Sequence, residues 1–155
     1  MTSEVLQTTE LTYPRRGARG CSNENNPPCV LHVDDDAVFS AALKRRLEAH
    51  GVAVVRAFDG DDGIEQSQRY EMDAVLLDLE MPNTKGDEVL TILRKNEVTR
   101  EIPVIVLTGR KDPQLEQRMA LLGASAYITK PLRFEELREQ LAKYIDILPK
   151  PGLAP

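Results

Sequence analysis

The 155-residue chain has no tryptophan, two cysteines, two histidines and 5% aromatic residues. Cys21 and Cys29 are too few for a disulfide scaffold, and Cys21 sits in a polar stretch, so reduced thiols are expected. His32 falls inside an apolar run and His50 at a helix end, so both read as structural, and no His/Cys metal cluster can be assembled. A basic excess is also missing: 20 Lys and Arg stand against 25 Asp and Glu, a formal charge of −5, which argues against direct nucleic-acid binding. No apolar run approaches the roughly 18 residues of a membrane span. The start, MTSEVLQTTE, lacks the basic and apolar regions of a secretory signal. A cytoplasmic location is therefore expected. No phosphate loop, G-x-G-x-x-G or Ser-His-Asp order occurs. With 41% hydrophobic residues, the chain can build one compact core.

Residues 1–28 are rich in Thr, Ser, Asn, Pro, Gly and Arg, lack apolar periodicity and read as a flexible leader. Its basic cluster, Arg15, Arg16 and Arg19, is most simply solvated. Residues 149–155 form a Pro/Gly tail. Between them, apolar runs alternate with amphipathic segments. Strands are predicted at Cys29–Val33, Val52–Ala57, Ala74–Leu79, Val104–Leu107 and Ala126–Thr129. They are short, rich in Val, Leu and Ile, and mostly not period-two, as parallel strands buried on both faces should be.

Helical spacing appears at Phe39, Leu43 and Leu47, with Gly51 as a stop signal. Ile64 marks a short helix after the turn Asp59-Gly60-Asp61-Asp62-Gly63. Val89, Leu90, Ile92 and Leu93 mark a third helix, and Leu115, Met119 and Leu122 a fourth that ends at Gly123. Leu137, Leu141, Tyr144, Ile145 and Leu148 mark the fifth. Asp112-Pro113 supplies a capping acceptor and a proline at the first helical position. Five strand–helix repeats imply an α/β three-layer αβα sandwich with a five-stranded parallel sheet and right-handed crossovers.

Sites in such sheets form beyond the carboxyl ends of the strands. The first predicted strand ends in Asp34-Asp35-Asp36, the third carries Asp78, the fourth ends in Thr108-Gly109 and the fifth in Lys130-Pro131. Each has an ordinary structural reading alone; Asp36, for instance, suits a helix cap and Asp73 a loop. Their convergence on one edge is the informative feature. Crowded carboxylates repel unless a cation sits among them, and hard oxygen ligands suit Mg²⁺, with Mn²⁺ the alternative. A carboxylate can attack phosphorus to give an aspartyl phosphate, whose charge calls for a metal, a lysine and a hydroxyl.

The segments VDDD (33–36), LLDLEMPNTKG (76–86), VLTG (106–109) and YITKP (127–131) resemble the receiver domain of two-component response regulators, across residues 29–148. The resemblance implies a flavodoxin-like, doubly wound sheet with strand order 2-1-3-4-5. It implies Asp78 as phosphoacceptor, and a metal held by Asp34, Asp35, Asp78 and the backbone carbonyl of Glu80. It further implies Thr108 and Lys130 as phosphoryl-binding groups, Tyr127 as the aromatic switch and a cis bond before Pro131. Gly86 fits the turn into the third helix. Asp36, Gly109 and Leu132 depart mildly from the family pattern. Glu80 and Arg110, each two residues beyond a site residue, are expected on the rim, where they would control phosphoryl lifetime.

The implied partners are a sensor histidine kinase or a histidine phosphotransfer protein, then a downstream protein, with a phosphorylation-dependent dimer through the face from the fourth to the fifth helix. A stand-alone receiver that is not an enzyme is the expectation. A haloacid-dehalogenase-like phosphatase uses similar residues, but its nucleophile lies in an early D-x-D motif, whereas here the acidic pair comes first. A calcium loop at Asp59 would need Glu at its twelfth position, which is Tyr70.

Overall fold

The computed structural model describes residues 27–82 and 84–149. The expected leader and tail, with the Arg15, Arg16 and Arg19 cluster and Cys21, lie outside the described residues, apart from Pro27, Pro28 and Pro149. In chain order the elements are β1 (Cys29–Val33), α1 (Ala37–Ala49), β2 (Ala53–Ala57), α2 (Gly60–Arg69), β3 (Ala74–Asp78), α3 (Gly86–Lys95), β4 (Val104–Thr108), α4 (Pro113–Leu122), β5 (Ala126–Thr129) and α5 (Phe134–Leu141). All strand pairings are parallel and the sheet order is β2-β1-β3-β4-β5.

The strands are apolar throughout because each feeds two cores, one on each face of the sheet. Leu31, Val33, Val75, Leu77, Val104 and Val106 face one core, closed by Val89, Leu90 and Leu93 of α3 and Met119 of α4. Val30, Ala74, Leu76, Ile105 and Leu107 face the other, closed by Leu43 and Leu47 of α1 and Leu137 and Leu141 of α5. Strand parity thus assigns every side chain to a face. The order reverses between β1 and β3, and Asp34 and Asp78 stand at the carboxyl ends flanking that crevice.

Several predicted details differ. The Asp59–Gly63 turn is the first turn of α2 itself, with Asp59 as its cap, accepting from the Asp62 amide at 2.8 Å. Glycine is needed there because a Cβ on Gly63 would lie 2.8 Å from Val33. Helix α5 ends at Leu141, earlier than its apolar spacing suggested. Beyond it Lys143 and Tyr144 donate to Gln140 and Leu141, a tighter three-residue winding, and the Leu148 amide turns to the His50 carbonyl. Tyr144 and Leu148 are consequently exposed, as is Ile92 of α3. Asp36 caps α1 as expected, accepting from the Phe39 amide at 3.0 Å. Asp73 does more than decorate a loop: its carboxylate accepts from the Cys29 amide at 2.7 Å and pins the start of β1.

Candidate functional site

Asp34 follows β1 and is held in line by its own amide, which donates to the Ala57 carbonyl of β2 at 3.0 Å. Its side chain is fully buried: Oδ1 accepts from the Asp36 amide and Oδ2 from the Lys130 ammonium, both at 2.9 Å. Burial alone would raise its carboxyl, but His32, the Asp36 amide and Lys130 outweigh burial and hold it down at about 2. Asp78 ends β3 and is only 4% exposed. Its Oδ1 accepts from the Glu80 amide at 3.1 Å, and Lys130 stays 3.9 Å from Oδ2. Burial dominates here and pushes the carboxyl up to about 6, with the charges of Asp34 and Asp35 adding to the rise against the Glu80 amide and Lys130. Asp35 is exposed, yet one oxygen from each of Asp34, Asp35 and Asp78 lies within 4.8 Å of the others.

The other expected residues surround this cluster. Thr108 ends β4 one residue beyond Leu107, the partner of Asp78 in the ladder. Its hydroxyl accepts from the Arg110 amide at 3.3 Å. The Lys130 amide donates to the Thr108 carbonyl at 2.7 Å, and the Lys130-Pro131 peptide is cis. Tyr127 stands apart from the acids; its hydroxyl donates to the Arg110 carbonyl at 2.9 Å, and burial raises its phenol. Glu80 and Arg110 meet at 3.2 Å, both largely exposed. They edge a cleft of about 810 Å³ that Asp35, Met81 and Lys85 also line. Gly86 packs so closely against β3 that a Cβ would lie 2.7 Å from the Leu79 Cα and 2.8 Å from the Asp78 carbonyl.

Sequence reasoning missed three neighbours. His32, read only as structural, lies 3.6 Å from Asp34 Oδ2. Its place two residues before Asp34 on one strand was the signal, since that parity puts both on one face. Phe39 lies beneath the Lys130 ammonium, 4.5 Å from the ring centre. Arg118 of α4 reaches Asp87 of α3 at 2.9 Å, a second ion pair bordering the cleft.

The molecule is a doubly wound α/β domain whose switch point, where such sheets bind their ligands, gathers buried carboxylates, an exposed carboxylate and a lysine. Residues 30–142 match the response regulator receiver domain family, and the chain belongs to that family. The family comprises the phosphoacceptor domains of two-component phosphorelays, in which aspartate phosphorylation and Mg²⁺ are general features. The chain is 36% identical over 115 residues to hybrid signal transduction histidine kinase D of Dictyostelium discoideum, covering 74% of this chain and 7% of that protein. It is 32% identical over 124 residues to a probable cyclic di-GMP phosphodiesterase of Vibrio cholerae, covering 80% of this chain and 28% of that one. Among known structures, the Vibrio cholerae chemotaxis protein CheY4 superposes with a TM-score of 0.73 at 26% identity, over 77% of this chain and 99% of that one. The receiver domain of a Pseudomonas aeruginosa sensor histidine kinase, with a magnesium ion coordinated in its active-site cleft, gives 0.70 at 25% identity, over 76% and 97%. No helix among the described residues is long and apolar enough to cross a membrane.

Proposed function

We propose that Asp78 is the phosphoacceptor of this receiver, taking a phosphoryl group from the phosphohistidine of a sensor histidine kinase or histidine phosphotransfer protein, or from a small acyl phosphate. One observation carries this reading: a nearly buried carboxyl at the switch point, with oxygens of Asp34 and Asp35 within 4.8 Å and Lys130 at 3.9 Å. An Asp78 oxygen forms a bond to phosphorus as the donor's bond to phosphorus breaks, and the imidazole or acyl carboxylate departs.

The donor set is all oxygen, and exposed Asp35 leaves the cluster open to water on one side, which fits a hard divalent cation. Asp34, Asp35, Asp78 and the Glu80 carbonyl would hold Mg²⁺, with Mn²⁺ as the substitute. Bound there, the ion supplies positive charge toward the phosphoryl oxygens. Lys130 pairs with one of those oxygens and Thr108 donates its hydroxyl to another.

Thr108 moving inward frees Tyr127 to follow, which alters the surface from α4 to α5. Taking such a switch from 1:99 to 99:1 needs about 5.5 kcal/mol of differential interaction, within reach of several charge-assisted bonds. That surface would engage a downstream protein or a second copy of the domain. The domain acts as a cytoplasmic signalling element, phosphorylating itself from acyl phosphates and losing the group to water by its own hydrolysis, without turnover of a substrate. Glu80 and Arg110 screen the acyl phosphate from water. The test is labelling with acetyl phosphate and Mg²⁺: wild type gains one phosphoryl group and Asp78→Asn gains none. Undiminished labelling of Asp78→Asn overturns the assignment.

A further inference from the structure

Four contacts close a ring beside the site. The Lys130 ammonium donates to Asp34 Oδ2 at 2.9 Å and sits 4.5 Å from the centre of the Phe39 ring. Phe39 meets the His32 ring in a T-shaped contact, centroids 5.7 Å apart at 75°. His32 Nε2 returns to Asp34 Oδ2 at 3.6 Å. His32 is fully buried, and neither of its ring nitrogens makes a hydrogen bond with any described residue.

We propose that His32 and Phe39 form a resting cradle for Lys130, and that His32 takes over Asp34 Oδ2 when Lys130 leaves for the phosphoryl group. The inference rests on Asp78 being the phosphoacceptor. At rest Lys130 favours Asp34 over Asp78, 2.9 Å against 3.9 Å, and the Phe39 ring face steadies it there. Asp34 would offer a metal its Oδ1, which stays engaged with the Asp36 amide, so departure of Lys130 strips the fully buried Oδ2 of its charged donor. A buried oxygen left without a donor is costly. His32 Nε2 already faces that oxygen at 3.6 Å. With the proton on Nε2, a movement of about half an ångström makes the bond. Two donors compete for one oxygen; Lys130 holds it at rest and His32 after transfer. His32 is therefore a positioning residue, acting on the reaction through Asp34 and Lys130. The residue pair sets opposite biases, since Phe39 favours the resting lysine and His32 favours its release.

The test compares phosphorylation rates with acetyl phosphate at saturating Mg²⁺ for wild type, His32→Leu, His32→Gln, Phe39→Leu and Asp78→Asn, alongside thermal unfolding. Losing one hydrogen bond to a charged group makes His32→Leu about tenfold slower, and thermal unfolding checks that the variant is folded at the assay temperature. The amide of His32→Gln can reach the same oxygen and stays within about threefold of wild type. Phe39→Leu removes the ring face and runs about two- to fivefold faster. A merely structural role for these residues would slow both families of variant. A wild-type rate in His32→Leu, equal slowing in His32→Gln, or slowing in Phe39→Leu overturns the cradle. Should His32→Leu fail to fold, the other two variants decide. Labelling of Asp78→Asn would instead overturn the phosphoacceptor reading on its own.

Discussion

Asp78→Asn should make the metal-free domain more stable while removing its proposed chemistry. The Asp78 carboxyl is only 4% exposed, and burial raises it from 3.8 to about 6. Above that value the native state carries a charge it would rather not hold. A rise of that size corresponds to roughly 3 kcal/mol, at about 1.4 kcal/mol for each tenfold change in proton affinity. A raised carboxyl penalises folding fully above its folded value of about 6, and the penalty vanishes below the unfolded value of 3.8. Wild-type stability, as far as this group controls it, therefore rises as pH falls through that window. An asparagine keeps an acceptor for the Glu80 amide without the charge, so Asp78→Asn gains most of that energy above about pH 7 and little below about pH 4. For a domain of this size the gain is about 10 °C in melting temperature. Thermal unfolding followed by circular dichroism in EDTA, at several pH values, measures it. Saturating Mg²⁺ should narrow the gap, because the ion binds native wild type better than the variant. Equal or lower stability of Asp78→Asn in EDTA near neutral pH would refute the reasoning. So would a gap that does not shrink on acidification.

Gly86→Ala places a methyl 2.7 Å from the Leu79 Cα and 2.8 Å from the Asp78 carbonyl, which are backbone atoms that cannot swing away. It should cost about 1 to 3 kcal/mol in urea unfolding and slow labelling by displacing the end of β3; wild-type behaviour in both would show that the α3 start yields freely. Glu80→Ala and Arg110→Ala break a pair whose side chains are 48% and 68% exposed, so stability should change by less than about 1 kcal/mol. The rate of phosphoryl loss should rise in both, and an unchanged rate would remove the screening role.

Apolar runs and punctuation made the sheet legible, because a parallel strand feeding two cores leaves no room for polar alternation. Asp112-Pro113 and Gly123 delimited α4 for stated reasons: a cap accepting from the Gln114 amide, and a left-handed φ of 107°. The errors lie where backbone bonding decides. Val52 drops out of β2 because its amide returns to the Leu47 carbonyl, while Thr108 joins β4 because it pairs with Thr129. The acids were legible as strand-end residues. Which acid Lys130 rests on was not, since a difference of one ångström between two carboxylates has no signature in residue order.

His32 shows where a stronger reading was available. Among the buried strands β1 and β3, two polar side chains interrupt the apolar runs, His32 and Asp78. A polar group in a doubly buried strand must be satisfied or must have a use for being unsatisfied. Asp78 is answered at rest by the Glu80 amide, with Lys130 nearby, whereas His32 has no hydrogen-bond partner among the described residues. Strand parity sends His32 to the face of Asp34 and Phe39, and its Nε2 stands 3.6 Å from the carboxylate oxygen on which Lys130 rests. The position that a motif search passes over is therefore the one that the energetics of burial single out.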